Sequence, residues 1–330
     1  MSHILKAVPG DCINACSDRR AMGYPEHYVP TRHEAPAAAI RRLVGVDAED
    51  LAARVEDPAL KMEDRLAAGL VLGLVGDPRI RTFEPTMIDI AAADVVIGLD
   101  VDRVGAVQGQ LLDTGVLPDW IAKECPSHRV ALAAYRIARY PVTNFEYRDF
   151  LAATGYNEIP TSWELGRYPH ERANHPVYTV SAAAADAYCT WLASRTGREF
   201  RLPSEAEWEH AAAGPARFEY PWGDAFEVDH ANTAEAGLLS STPVGAFPRG
   251  NSYFGACDLA GNVEEYVAND YYPYAGGRAV EDELHRAWGQ YRVARGGCFT
   301  RLRDLARCKR RHGYFPKRIY AMGFRLAETA

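Results

Sequence analysis

The chain has 330 residues, 48% of them hydrophobic, and a formal net charge of −7 at pH 7. That length and apolar content suit one large domain plus a smaller unit, and the acidic balance argues against a general binder of nucleic acid or anionic membranes. Seven cysteines without a repeating framework point to free thiols, no apolar run reaches the roughly 18 residues of a membrane span, and the first residues lack a basic-then-apolar leader, so a cytoplasmic location is expected.

Residues 1–33 carry Pro9, Gly10, Gly23, Pro25 and Pro30 with little periodicity and are read as irregular. Cys12 and Cys16, followed by His27 and His33, have the donor types of a zinc site but miss the C-x2-C spacing, so a structural role is preferred there. Helices are predicted over residues 36–44, after an Asp47 cap, and over residues 61–75, where Gly76 stops the last of them. Alternation at residues 86–91 and 94–98 predicts a strand pair, residues 103–127 give no clear pattern, and residues 129–137 read as one strand. A helix capped by Thr143 or Asn144 and closed by Gly155 follows. Ser181 caps the next, whose Tyr188, Trp191, Leu192 and Arg195 share a face with Cys189 beside it, and Gly197 ends it. Phe200, Arg201 and Leu202 then make a short strand, and Ser204 with Glu207 forms a capping box for a helix from Glu205 to Ala213 that buries Trp208 against alanines.

Between residues 232 and 274, Gly, Pro, Asn and Ser dominate, as in long loops fastened to a scaffold. Asn262, Val263 and Glu265 can offer a side-chain carbonyl, a main-chain carbonyl and a carboxylate to one calcium ion. Further on, Cys298 follows the Arg295-Gly296-Gly297 turn, and Cys308 precedes Lys309, Arg310, Arg311 and His312. Cys308 and His312 are four apart, so a helix would set thiol and imidazole on one face, where with Cys298 they would suit zinc, copper or iron. Arg303, Arg307, Arg310 and Arg311 would then be placed to take a substrate carboxylate or phosphate. The alternative is that both thiols are buried spectators. His170, His175 and His210 are further imidazoles whose convergence spacing cannot decide.

RLPSEAEWEHAAAG followed by YPWGD, together with HRVALAAYRIARYPVTNFEYRDFLAATGY, NHPVYTVS, TPVGAFPRGNSYFGACDLAGNVEEY, RVARGGCF and a terminal MGFRLA, resembles the formylglycine-generating enzyme family, the sulfatase-modifying-factor superfamily. The resemblance implies an α+β, C-type-lectin-like fold over residues 84–330, preceded by a helical and irregular region over 1–83. It also implies structural calcium: GNVEEY matches a calcium-binding GNVWEW motif, with Glu264 and Tyr266 in place of two tryptophans, and Asn232 with Glu235 resembles a second calcium site. The family's Val-Ser-Trp with a following acidic residue is here Val180, Ser181, Ala182 and Ala184, which changes the neighbouring surface. In formylglycine generators a copper-binding cysteine lies four residues beyond the RGG glycines and its partner five further on. Here Arg301 and Ala306 hold those positions, and neither has a lone pair for copper(I). The H-x3-H-x-E arrangement of the family's iron-dependent sulfoxide synthases is also missing from this sequence. Two functions are therefore expected as alternatives. One is a noncanonical oxidoreductase using iron or copper and dioxygen on a small molecule or peptidyl side chain, with Cys298, Cys308, His312 and Arg310 as its centre. The other is a calcium-stabilised binding or interaction domain without catalysis.

Overall fold

The computed structural model of the chain describes residues 5–30 and 37–329. His33 and Pro36, named above for zinc and for a helix start, lie outside them. Four helices come first: α1 (Asp18–Ala21), α2 (Ala37–Leu43), α3 (Ala48–Val55) and α4 (Met62–Val75). Asp47 caps α3 by accepting the Glu49 amide, and Gly76, at a φ of 101° that disfavours side chains, closes α4. Leu43, Leu51, Val55 and Leu72 pack with Leu238, Ala246 and Phe247 of the larger part of the chain. Two features seat α4 there. Arg65, buried, donates Nε to the Ala246 carbonyl at 2.8 Å, and Gly69 lies so close to Pro243 that an added Cβ would meet its ring at 2.3 Å.

The larger part interleaves strands β1 (Met87–Ile90), β2 (Ala93–Ile97), β3 (His128–Leu132), β4 (Tyr135–Ala138), β5 (Phe200–Arg201), β6 (Glu264–Asp270), β7 (Arg292–Arg295), β8 (Met322–Phe324) and β9 (Ala327–Thr329) with six helices. These are α5 (Val104–Gln110), α6 (Pro118–Ala122), α7 (Asn144–Thr154), α8 (Ala182–Thr196), α9 (Glu205–Ala213) and α10 (Glu283–Trp288). One sheet runs β1-β4-β9-β5, β2 pairs β3 alone, and a third sheet runs β7-β6-β8 with β8 parallel to β6. The expected pairing of residues 86–91 with 94–98 is corrected. Met87 faces Ala138 and Val95 faces Val130, so the two strands enter different sheets, and the single strand expected over 129–137 divides between those same sheets.

Helices α7 and α9 open on capping boxes, Thr143 with Glu146 and Ser204 with Glu207, and Ser181 caps α8. Tyr147, Phe150, Tyr188, Leu192 and Phe324 form the largest apolar cluster, while Arg195 stays exposed at its rim. Trp208 is fully buried on α9, and Trp222 stacks on Tyr220 at 5.4 Å in the turn that follows. Cys189 lies in the main core, as expected of a small apolar side chain.

Candidate functional site

Strand β6 organises the site because consecutive strand residues face opposite sides of a sheet. Glu264 and Glu265, both fully buried, are thereby sent to different surroundings. Glu264 receives His312 Nδ1 at 2.6 Å and lies 3.7 Å from Cys298 Sγ. Cys298 in turn touches Thr300 Oγ1 at 3.0 Å. Burial would raise the Glu264 carboxyl, but His312 and Arg301 outweigh it and the group sits below its usual range. Burial brings His312 down to about 4 against the opposing pull of Glu264. A neutral imidazole beside an ionised carboxylate must donate, so Nδ1 carries the proton and Nε2 keeps its lone pair. Burial, with Glu264 adding to it, pushes the Cys298 thiol up to about 12, so it is a thiol and not a thiolate at neutral pH.

Tyr320 stacks on His312 at 5.4 Å, and the Arg301 guanidinium lies over the Tyr320 ring at 5.1 Å. Arg301 is buried to 4% exposure, and its Nη1 has no hydrogen-bond partner. Arg301, His312 and Tyr320 line a cavity of about 20 Å³, roughly the room of one water molecule, together with Gly10, Ile13, Asn14, Trp120 and the start of α10. Arg301 as a site member, Glu264, Tyr320 and Asn14 were missed by sequence reasoning. The available signals were the replacement of a family tryptophan by Glu264 and of a family cysteine by Arg301.

The third member proposed with Cys298 and His312 does not join them. Residues 308–312 are not helical: the Arg310 amide bonds the Arg307 carbonyl, and His312 exchanges main-chain bonds with Ala294 of β7. Cys308 therefore packs with Trp208, Val267 and Tyr271, and burial raises its thiol far above the ordinary value despite Lys309. The flanking cations are corrected as well, since Arg303, Arg307, Lys309 and Arg311 are each already paired with a carboxylate. Arg307 holds Glu124 by two bonds of 2.7 and 2.9 Å and reaches Glu219 at 2.8 Å, and Lys309 takes Glu219 at 2.9 Å. Arg311 grips Glu205 at 2.6 and 3.0 Å. Arg303 is paired with Asp113, and its Nη1 stands 3.8 Å from Glu235. Arg310, fully buried, donates Nη1 to the Trp120 and Arg311 carbonyls and stands 3.8 Å from Asp304, while its Nε has no hydrogen-bond partner.

The residues read as calcium ligands are also brought together differently from the two-site expectation. Glu265 gives both oxygens to Arg325 at 2.6 Å and accepts Trp208 Nε1 at 2.7 Å, so its carboxylate is already neutralised and does not fit a calcium shell. Asn262 Oδ1 accepts the Thr242 amide at 3.0 Å and stands 3.4 Å from Asn232 Nδ2, which links the two expected sites directly. Val263 is buried in the expected turn, where Gly261 and Asn262 take φ of 80° and 66°, and strand β6 begins directly after it at Glu264, which pairs with β8. Around residues 232–235 the picture is different: Asn232 Oδ1, Thr233 Oγ1 and Glu235 Oε2 are buried and have no hydrogen-bond partner. Oxygen donors in that condition fit a hard cation. Among the described residues no group of three His, Cys, Asp or Glu stands where it would hold a metal ion. Glu264, His312 and Cys298 thus do not fit an iron or copper centre. His175 bonds Ser241, His210 packs on Phe254, and His170 is exposed, so these three imidazoles do not converge. Cys12 is exposed and Cys16 Sγ turns to the Ile13 carbonyl.

Comparison with known proteins bears on the same residues. Residues 79–330 match the family described as the sulfatase-modifying factor enzyme 1-like domain. The serine/threonine-protein kinase Pkn1 of Chlamydia trachomatis is 34% identical over 224 residues, 62% of this chain and 35% of that protein. The hercynine oxygenase of Mycobacterium tuberculosis is 33% identical over 251 residues, 66% of this chain and 57% of that protein. The chain thus spans about a third of the kinase and little more than half of the oxygenase. The structure of PvdO from Pseudomonas aeruginosa superposes with a TM-score of 0.55 and 27% identity, covering 75% of this chain and 95% of that one. Among the described residues no helix is long and apolar enough to cross a membrane.

Proposed function

The chain belongs to the sulfatase-modifying factor enzyme 1-like family, and from that premise we propose that it is a ligand-binding member that does not carry out copper-thiolate oxidation. Arg301 carries this proposal. A buried guanidinium with an unpartnered Nη1 stands where formylglycine generators are expected to hold a copper-ligating cysteine. A buried donor left unpaired would cost about 1–3 kcal/mol, the adjoining cavity has room for one water to pair it, and a ligand carboxylate or phosphate in that water's place would add a charge-assisted bond. The ligand is then a small molecule or peptide with an anionic group, anchored at Arg301 and flanked by the His312 and Glu264 pair.

Calorimetric titration with succinate and with inorganic phosphate is expected to show binding that Arg301→Met abolishes. Heat from neither anion, or equal binding by the variant, would rule the anchor out. In a second arm, copper-loaded protein under air is expected to leave a sulfatase-type cysteine peptide unconverted. Aldehyde at catalytic rate would restore the oxidase.

A metal-dependent oxidoreductase is the second reading, favoured by the similarity to hercynine oxygenase, and it requires a metal centre other than Glu264, His312 and Cys298. A structural calcium ion is supported at Asn232 and Glu235 by their unpartnered oxygens, where it would tie the loop to the strand bearing Glu264. Its removal is expected to lower apparent stability by roughly 2.7 kcal/mol at a hundredfold excess over Kd. A melting temperature indifferent to chelator and to calcium readdition would sink this proposal, and Glu235→Gln should blunt the response. The proposal goes with a C-type-lectin-like topology, a division near residue 83 and a reducing, cytoplasmic setting. That Cys16, Cys125, Cys189, Cys257, Cys298 and Cys308 are thiols supports the last of these.

A further inference from the structure

Residues 5–24 form a strap that closes on itself, with the Lys6 amide donating to the Gly23 carbonyl at 3.0 Å, and it lies across the candidate site. Gly10, Ile13 and Asn14 line the same cavity as Arg301, His312 and Tyr320. Asn14 is the point of contact: its Oδ1 accepts the Tyr320 hydroxyl at 2.8 Å, and its Nδ2 donates to Glu283 at 2.6 Å. Lys317 holds the strap from below by donating Nζ to two of its carbonyls, Ile13 at 2.6 Å and Cys16 at 2.5 Å. The seat is close. A Cβ at Gly10 would meet Trp120 at 2.7 Å and the Gly115 carbonyl at 2.9 Å, and the Gly115 position is itself pressed against the Val8 carbonyl.

We infer that the strap is a gate: seated, it closes the cavity over Arg301, His312 and Tyr320, and its release is the step that admits a ligand to them. Three observations carry this together. A guanidinium with a free donor lines a cavity about the size of one water, one wall of that cavity is supplied by a single local segment, and the polar contacts that fix this wall converge on Lys317, Tyr320 and Glu283. Val8, Ile13, Ala21 and Met22 of the strap are buried in the main apolar cluster, so the seated state is the ground state and the open one a minor population. The inference builds on Arg301 as the ligand anchor, but its readout is side-chain reactivity and not ligand binding, so the two stand or fall separately.

The experiment compares the full chain with Gly10→Val, which cannot seat against Trp120, and with Lys317→Met, which loses both carbonyl contacts. Neither residue anchors the ligand. Each protein is treated briefly with diethylpyrocarbonate, which reacts with an unprotonated imidazole nitrogen, and the modified peptides are quantified by mass spectrometry. Hydrogen exchange of the strap amides is followed on the same samples. His312 is expected to be protected in the parent and modified at least tenfold faster in both variants, with strap exchange accelerated and the exposed His170 reacting equally in all three. A strap that exchanges freely while His312 stays protected would overturn the gate. So would a strap that remains protected in both variants, because the gate requires these contacts to hold it.

Discussion

Replacing Glu265 with alanine is expected to cost about 3–5 kcal/mol of stability, the range for removing one partner of a buried ion pair. Both side chains of the Glu265 and Arg325 pair are wholly shielded from solvent, and the two contacts of 2.6 Å are bidentate. Alanine would leave a guanidinium in the core between the carbonyls of Ala138 and Cys257, with no counter-charge, and would also strip Trp208 Nε1 of its acceptor. The same arrangement predicts the opposite for the pair removed together. Glu265→Leu with Arg325→Met deletes both charges at similar volume and should recover most of the loss, since apolar replacement of a buried pair is often neutral or stabilising. Urea unfolding of the two single variants and the double one measures the cycle. Additive losses would mean that the pair is not coupled, and a loss under 1 kcal/mol in the single variant would mean that water reaches Arg325.

Arg307→Met should be comparably damaging at neutral pH, and its cost should depend on pH. Arg307 is the bidentate partner of Glu124, which is fully shielded from solvent, whereas Glu219 keeps Lys309 when Arg307 is gone. Burial raises the Glu124 pKa even with Arg307 opposing it, and the variant removes that opposition. A carboxyl whose folded pKa lies above its unfolded value binds its proton more tightly when folded. Its stabilising effect is fully present below the unfolded pKa and is lost as pH rises through the folded one. The gap between parent and variant should therefore be widest, about 3–5 kcal/mol, above neutrality and should narrow as pH falls toward 5. Unfolding curves at pH 7.5 and 5.5 decide it, and a gap of equal size at both would show that Glu124 stays ionised without its partner.

What could be read from the sequence divides by the distance between cause and effect. The caps at Thr143, Ser181 and Ser204, the stops at Gly155, Gly197 and Gly214 and the burial of Trp208 depend on neighbours a few residues away, and all stand where the pattern put them. Alternation announced β1 and β2 as strands but held no information about which strand each would meet. Strand β6 was invisible because its polar residues looked like loop and metal ligands. Their burial is explained only by Arg325 and His312, which follow Glu265 and Glu264 by 60 and 48 residues. Lys309, Arg310 and Arg311 looked like a receptor for a substrate anion for the same reason. The partner of Arg311, Glu205, lies 106 residues away, and Glu219 lies 90 residues from Lys309. Spacing placed Cys308 beside His312 on the assumption of a helix, and the main chain of His312 is instead taken by β7.

Helix α9 presents three glutamates, each to an arginine from a different part of the chain: Glu205 to Arg311, Glu207 to Arg201 and Glu209 to Arg295. Such wiring restricts inheritance. A change at Arg295 or Arg311, both buried, must be matched by a simultaneous change at a distant glutamate, and single steps through an unpaired buried charge are the costly ones. The arginine-rich segment after the Gly296-Gly297 turn is therefore free to drift only at positions outside the wiring. Arg301, with an unclaimed donor, and the strap that faces it are such positions. If Arg301 anchors a ligand, substitutions on that small face would change which ligand is held while the charges beneath it stay fixed.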